Sequence, residues 1–360
     1  MPRLYLTQDE RDERLTDLHT SISEQVSRLT SEQAWKDYLK IAARFHHYSF
    51  NNQMLIMVQN PEARHVAGYR RWQHMGRQVR KGETGIAILA PVTKREVTST
   101  PSDPMSWRDL GYKESPKPGE VTRTKMVSVK GTFVFDYDQT DGDPIEALEI
   151  RKPRLVEGAA PHGLWESVVD LIQDQGFTVH DVNNSEVIHG ANGVTDFADR
   201  TVQVRRDMDA AARVKTLIHE YAHIALDHEN RRDNEDLHRG VSEVEAESVA
   251  YLVGEAHGMD TSQYSIPYVA GWAETVTTAT SVEDVIKETG SRVTKTAATI
   301  LQATFPKDTV EESVIHEAAL VTAVTPYQSV CAHPVGTPQA MTSSTSTSLT
   351  SPRKTKGRTR

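Results

Sequence analysis

A His-Glu-x-x-His segment at residues 219–223 constrains this chain more than any other feature of its sequence. An α-helix turns about 100° per residue, so His219 and His223 fall on one helical face, a turn apart. Two imidazoles in that arrangement can bind one metal ion together, and the carboxylate of Glu220 can reach a water molecule on the ion. The alternative is that both histidines lie on an ordinary helix face and bind nothing. A helix is predicted because apolar side chains recur at helical spacing, at Val214, Leu217, Ile218, Tyr221, Ala225 and Leu226, with Asp207 or Asp209 as the N-cap.

A second acidic segment, residues 242–253, can supply the third protein ligand that a zinc site needs. Its helical pattern places Glu243 and Glu247 on one face and Glu245 on another. We expect Glu243 to complete the coordination through a carboxylate oxygen. Glu247, one turn further on, is expected to accept a hydrogen bond from the outer nitrogen of one ligand histidine and so to fix its tautomer. The alternative is an acidic face exposed to solvent.

The two predicted helices also resemble a known family. The His-Glu-x-x-His segment, His228 and residues 243–250 are similar to the metallopeptidase domain of the ImmA/IrrE family, over roughly residues 154–326. This resemblance implies a mostly helical, zincin-like domain with Zn²⁺ as its cofactor and Glu243 as the third ligand. Glu245 is the fallback ligand if the register differs.

The chemistry expected of such a site is peptide hydrolysis. Glu220 would take a proton from water and pass it to the leaving amine. His228 and Tyr251 are weaker candidates for stabilising the oxyanion, because an ordinary role on a helix face explains both residues better.

The composition is that of an ordinary folded protein, with 360 residues, of which 37% are hydrophobic and 25% charged. This length suffices for two domains, each with its own core. No run of about eighteen apolar residues predicts a membrane span, and the first residues lack the apolar segment of a signal peptide. The single cysteine, Cys331, excludes a thiolate zinc site and fits a reducing, cytoplasmic location.

The charge of the chain is unevenly distributed. The net charge of −9 argues against generic nucleic-acid binding, but between residues 64 and 95 the only acidic residue is Glu83, among eight basic ones. Tyr69 and Trp72 lie inside this basic run. Cations that follow a phosphate backbone, together with rings on which bases stack, are typical of single-strand binding. The alternative is a solvated basic face with Trp72 in the core.

Residues 48–56, 72–85 and 133–140 resemble the N-terminal domain of the ArdC antirestriction proteins, over roughly residues 29–142. The resemblance implies a domain that binds single-stranded DNA, followed by a zinc-peptidase-like domain. Phe50 departs from the family pattern, because many members have glycine there. The DNA contacts that we predict from the basic run and this resemblance are Asn52, Arg70, Arg71, Trp72, Arg77, Arg80 and Lys81.

The predicted fold class is α+β: a mixed helix/sheet DNA-binding domain at 1–150, a mostly helical metallopeptidase domain at 151–330 and a disordered, Ser/Thr-rich basic tail at 331–360. In the first domain we expect a helical region from 9 to about 44, an insertion or mobile loop between strands at 98–125, and a strand at 126–138. In the second, the pattern predicts short strands at 178–182, 187–189 and 201–205 before the metal-binding helix, and later helices near 281–287 and 291–305.

These observations favour a zinc-dependent, peptidase-like protein that binds single-stranded DNA and acts in antirestriction or in protection of incoming mobile DNA. Two alternatives stay open. In the first, the chain is a non-catalytic single-stranded-DNA-binding antirestriction protein with a structural metal site. In the second, implied by the ImmA/IrrE resemblance, it is a regulatory protease that cleaves a repressor. The expected partners are single-stranded DNA and a protein or peptide substrate.

Overall fold

The computed structural model describes residues 8–29, 31–111, 113–145, 148, 158–233, 239–261 and 281–305. These residues contain both helices and sheets, largely in separate runs, which confirms the predicted α+β class. None of the described helices is long and apolar enough to cross a bilayer.

The chain begins with helices α1 (Gln8–Ser27), α2 (Glu32–Arg44) and α3 (Phe50–Gln59). The sequence predicts one helical region where the structure has α1 and α2. The break arises at Ser31, whose backbone is extended (φ −124°, ψ 154°) and whose hydroxyl accepts a hydrogen bond from the amide of Ala34. Such an N-cap starts a new helix because it satisfies an otherwise unpaired amide.

An antiparallel sheet of order β1-β5-β3-β4 follows, with β1 Val66–Ala67, β3 Ile86–Thr98, β4 Arg108–Asp109 and β5 Val121–Asp136. Helix α4 (Tyr69–His74) connects β1 to β2 (Arg77–Val79), which pairs with β6 (Thr140–Gly142). The strand predicted at 126–138 is therefore present as β5 but begins earlier, at Val121.

The insertion or mobile loop expected at 98–125 lies mainly between strands β3 and β5, which pair out to Thr98 opposite Val121. A 3₁₀ turn at Pro104–Ser106 and the short strand β4 lie within it. Charged residues at this end of the β3–β5 hairpin form cross-strand pairs. Glu96, which is 4% exposed, accepts a hydrogen bond from the Arg123 guanidinium at 2.8 Å.

The second half of the chain starts with α5 (Leu164–Asp174), which ends before Gly176 (φ 78°). Its sheet has the order β7-β9-β8, with β7 Thr178–Val182 parallel to β9 Thr201–Arg205 and β8 Gly193–Asp196 antiparallel to it at the edge. The strand predicted at 187–189 is wrong. Residues Ser185–Ile188 form a 3₁₀ helix, because the Asn184 side chain caps it at the amide of Glu186.

Helices α6 (Ala210–Ala225), α7 (His228–Asp233), α8 (Arg239–Ala256) and α9 (Val282–Thr304) complete the described fold. The sequence predicts two helices where α9 is continuous. Gly290 lies inside α9 because it makes room for a ring: a Cβ there would come within 2.2 Å of the Phe50 side chain.

One hydrophobic core joins both halves of the chain. Leu18 and Leu39 from the first half belong to the same buried cluster as Leu217, Val249 and Ile300. A buried hydrogen bond also joins the two halves, since Trp35 Nε1 donates to Ser248 Oγ at 2.8 Å. The described residues before 324 belong to one compact unit. The division into 1–150 and 151–330 stays a prediction, and the tail predicted at 331–360 lies outside the described residues.

Candidate metal centre

The predicted metal-binding segment lies in α6, and its geometry brings the two histidines together. Asp209 caps the helix by accepting from the amide of Ala212, which settles the choice between the two predicted caps. His219 and His223 stand one turn apart with their Nε2 atoms 3.0 Å from each other. Zinc–nitrogen bonds of about 2.0–2.1 Å in a tetrahedral site need a slightly wider separation of nitrogens, so only a small movement would admit an ion.

Glu243 reaches the same point from α8. Its Oε2 lies 3.5 Å from His219 Nε2, and its Oε1 lies 3.9 Å from His223 Nε2. One ligand atom from each of the three residues lies within 4.8 Å of the other two. Two imidazole nitrogens and one carboxylate oxygen are a donor set that suits first-row divalent ions, zinc among them. The residues therefore fit a metal ion, and Glu243 stands where the sequence predicts the third ligand.

Glu247 supports His219 from behind. Its Oε2 accepts from His219 Nδ1 at 3.0 Å, so that the neutral form of this ring has its lone pair on Nε2, which faces Glu243. Lys215 forms an ion pair with the other carboxylate oxygen of Glu247. Burial opposes ionisation of Glu247, but His219 and Lys215 outweigh it and lower the pKa of this carboxyl. For His219 itself burial lowers the pKa, and the hydrogen bonds to Glu243 and Glu247 overcome this effect and raise it to about 9.

Glu220 faces the cleft beside the histidines, and the edge strand β8 holds it there. Thr195 Oγ1 donates to Glu220 Oε2 at 2.7 Å. Gly193 lets the strand approach α6, because a Cβ on it would lie 3.0 Å from Glu220 Oε1 and 2.6 Å from Thr216. Burial raises the pKa of Glu220, an effect that the charge of His219 partly offsets. A buried carboxyl with a raised pKa in a cleft is typical of a general acid or base.

Thr195 and Gly193 escaped prediction because β8 has only four residues and no clear alternation of apolar side chains. The cleft itself is lined by Asn192, Gly193, Lys215, Thr216, His219, Glu220 and Glu247.

Glu245 is wrong as a fallback ligand. Its side chain is fully buried on the opposite side of α8, where it accepts from His228, Arg231 and Arg292. His228 is also buried, and its Nδ1 lies 2.8 Å from Nδ1 of His223, on the side of that ring away from Nε2. It therefore does not face the point where an oxyanion would form. The cause is the rotation of the helix by about 100° per residue, which turns the side chain of Glu245 away from the face that carries Glu243 and Glu247.

Three of the predicted DNA contacts are wrong, because their side chains are buried inside the protein. Trp72 is fully buried and donates from Nε1 to the Phe135 carbonyl oxygen at 2.8 Å. Asn52 pairs through its amide with the backbone of Leu89, at 2.9 Å in both directions. Arg77, which is 7% exposed, donates to Thr140 and stacks its guanidinium on the Tyr137 ring. These side chains support the fold and are not available to bases or phosphates.

The other four predicted contacts differ in accessibility. Arg70 and Lys81 are exposed, and neither forms an ion pair with any described residue. Arg71 is half-buried. Arg80 is exposed but donates to Glu83 and to the Asp138 carbonyl oxygen, which uses much of its hydrogen-bonding capacity. Next to Arg70, the ring of Tyr69 is 44% exposed. Tyr69, and not Trp72, is the aromatic side chain of the basic run that is open to a partner.

Fold and site together define an α+β protein in which a His-Glu-x-x-His helix and a glutamate-bearing helix converge on one candidate metal centre. Residues 9–135 match the family model described as the N-terminal domain of anti-restriction factor ArdC, so this part of the chain is similar to that domain. The resemblance of the second half to ImmA/IrrE peptidases stays a prediction.

Individual proteins show similarity over longer stretches. The chain is 28% identical over 261 residues to the uncharacterized protein pXO2-81 of Bacillus anthracis, covering 66% of this chain and 43% of that protein, and so spans less than half of its length. Crystal structures of the antirestriction protein ArdC from the R388 plasmid also match. The metal-free form is 19% identical, with a TM-score of 0.40, over 75% of this chain and 84% of its own. The Mn(II)-bound form is 17% identical, with a TM-score of 0.39, over 75% and 99%.

Proposed function

We propose that this ArdC-like protein binds one divalent metal ion, zinc in the simplest case, through His219, His223 and Glu243 and hydrolyses peptide bonds with Glu220 as the general base. The observation that carries the proposal is the convergence of two Nε2 atoms and a carboxylate from two helices, next to a buried carboxyl that ligates nothing. A bound divalent ion would supply Lewis acidity and would lower the pKa of a water molecule in contact with it.

The protein's own residues would carry the proton. Glu220 lies in the cleft with one carboxylate oxygen held by Thr195. Its other oxygen would accept a proton from the attacking water and deliver it to the departing amine nitrogen. Burial of Glu220 favours this exchange, because its raised pKa makes the carboxyl a better proton carrier near neutral pH. Thr195 would keep the carboxylate in one orientation throughout.

The first half of the chain would bind single-stranded DNA. The match of residues 9–135 to the ArdC N-terminal domain supports this part of the proposal, as do the exposed side chains of Tyr69, Arg70 and Lys81. An exposed ring and two exposed cations fit a strand whose bases stack and whose phosphates carry the charge.

A non-catalytic protein with a structural metal is the second candidate. It is favoured by the burial of His223 and by the contacts that tie this residue to the core of the fold. In that case protection of transformed DNA from restriction would survive loss of Glu220. A regulatory protease would instead leave a cleaved repressor in cells with the wild-type protein and none in cells with a Glu220 variant.

Hydrolysis of labelled casein by the purified full-length chain separates these functions. Glu220→Gln is expected to keep its metal content and its fold and to lose hydrolysis. The matched control is Glu229→Gln, which removes an exposed carboxylate on α7 and should behave as wild type. Turnover by Glu220→Gln at the wild-type rate would exclude Glu220 as the base.

A further inference from the structure

The fully buried carboxylate of Glu245 is satisfied by three groups from other elements. Oε2 accepts from Arg231 at 2.7 Å and from His228 Nε2 at 2.9 Å. Oε1 accepts from Arg292 Nε at 2.7 Å and from Arg231 at 3.4 Å. Arg231 and His228 come from α7, whereas Arg292 comes from α9. A charge buried this deeply is tolerated only when such partners surround it.

Counting donors and acceptors fixes the proton on His228. A guanidinium can only donate, and each oxygen of Glu245 faces one, so both oxygens act as acceptors. His228 Nε2 must therefore carry a hydrogen to bond with Oε2. A neutral imidazole with a proton on Nε2 has its lone pair on Nδ1, and Nδ1 of His228 faces Nδ1 of His223 at 2.8 Å.

The hydrogen between the two Nδ1 atoms then belongs to His223. We propose that His228 and Glu245 are positioning residues that hold His223 as the Nδ1–H tautomer, with the lone pair of its Nε2 directed at the metal centre. This proposal rests on the proposed metal site. The opposite arrangement, with a hydrogen on His228 Nδ1, would place the proton of His223 on Nε2, and a protonated Nε2 cannot bind an ion.

The two ligand histidines are thus supported in different ways. His219 is held by Glu247, which lines the open cleft with Lys215. His223 is held by a chain of side chains sealed inside the protein, in which His228 and Glu245 are both fully buried. Through Arg292, this chain reaches α9. His223 is therefore the ligand whose orientation depends on the packing of α7, α8 and α9 around Glu245.

Nuclear magnetic resonance of the full-length chain, labelled with ¹⁵N-histidine and loaded with one equivalent of Zn²⁺, reads the tautomers directly. We expect long-range ¹H–¹⁵N correlations to show His228 with a proton on Nε2 and an unprotonated Nδ1, and His223 with a proton on Nδ1. A proton on Nδ1 of His228, alone or together with one on Nε2, would overturn the proposal. This measurement needs no variant that could fail to fold.

Zinc affinity gives the second measurement. His228→Leu, which offers neither a donor nor an acceptor, is expected to weaken Zn²⁺ binding by about 10- to 100-fold, the usual effect of losing a partner behind a ligand. His180→Leu, at an exposed histidine on β7, is the matched control and should bind as wild type. Wild-type affinity in a folded His228→Leu protein would overturn the positioning role of His228 but leave the metal site intact. Absence of zinc binding by the wild-type chain would instead refute the proposed function, and the positioning role of His228 with it.

Discussion

Glu220 depends on a hydroxyl group from another element of the fold. Thr195 on β8 donates to its carboxylate at 2.7 Å, and a hydrogen bond to a charged group contributes about 1.5–3 kcal/mol. We expect Thr195→Val to lower kcat for casein hydrolysis by about 10- to 100-fold with the metal content unchanged. Thr195→Ser keeps the hydroxyl and should keep most of the activity. Equal kcat values for the valine and serine variants would show that this contact does not orient Glu220.

Tyr69 and Trp72 lie three residues apart on α4 but belong to different environments. Tyr69 is exposed and Trp72 is fully buried. Tyr69→Ala is expected to weaken binding of a short single-stranded oligonucleotide by about 1–3 kcal/mol, the contribution of a stacked base, at unchanged stability. Titration by fluorescence anisotropy measures this affinity, and an unchanged affinity in Tyr69→Ala would remove this ring from the proposed DNA surface.

Trp72→Ala is expected to lower the free energy of unfolding by about 3–5 kcal/mol, because its buried ring would be lost from the core. Denaturant unfolding measures this effect.

At the residue scale, the sequence predicts geometry best where the spacing within one helix decides which side chains share a face. The spacing of His219, His223, Glu243 and Glu247 predicts which side chains share a face, and the structure brings these four together. It failed for Trp72 and Arg77, because a basic composition does not reveal which side chains turn inward. Burial depends on contacts with Phe135 and Tyr137, which are distant in the sequence.

At the scale of elements, the β3–β5 hairpin is held by an ion cluster around one carboxylate. Arg123 is the main group that lowers the pKa of Glu96, with Lys94 and Lys125 nearby. A depressed pKa in the folded state stabilises the fold above the unfolded pKa of about 4.3 and ceases to do so as pH falls through the lower folded value.

Glu96→Gln should therefore lower the thermal midpoint of unfolding at pH 7, and the difference from wild type should vanish as the pH falls toward 2. Glu62→Gln, which removes an exposed carboxylate, is the control and should leave the midpoint unchanged at both pH values. A difference that persists undiminished at the lowest pH would point to lost packing and not to the ion cluster.

Long elements were easier to predict than short ones. Helix α6 has sixteen residues with a clear apolar stripe, whereas β8 has four. Residues 121–125 were assigned to a loop although they begin β5, because charged and proline residues favour loops locally, while the strand pairing that orders these residues joins positions far apart in sequence. The sequence carries no local signal for such pairing.

At the scale of the molecule, the two halves share a core, and Phe50 and Gly290 show how closely they fit. Replacing Gly290 by alanine gains about 1 kcal/mol of helix propensity, but the new Cβ would meet the Phe50 ring within 2.2 Å. The clash should win, because overpacking costs about 1–3 kcal/mol. We expect Gly290→Ala to destabilise the protein in denaturant unfolding and Ser291→Ala, its exposed neighbour, to have little effect. A stabilised Gly290→Ala protein would contradict this packing.

The shared core also explains why the contacts between the two halves could not be predicted from the sequence. Local periodicity predicts helices within each half, but the hydrogen bond from Trp35 to Ser248 joins positions that no pattern links. Phe50, which departs from the ArdC pattern, packs its ring against Gly290 of α9, where a residue with a Cβ would clash with it.

The central claim is that His219, His223 and Glu243 hold one divalent ion. Elemental analysis of the purified full-length chain, after zinc loading and exhaustive dialysis, tests it most directly. Wild-type protein and the Glu229→Gln control should each retain one metal ion per chain, whereas His223→Ala and Glu243→Gln should lose it. A wild-type chain that retains no metal, or a Glu243→Gln chain that retains as much as wild type with the same affinity, would contradict the account.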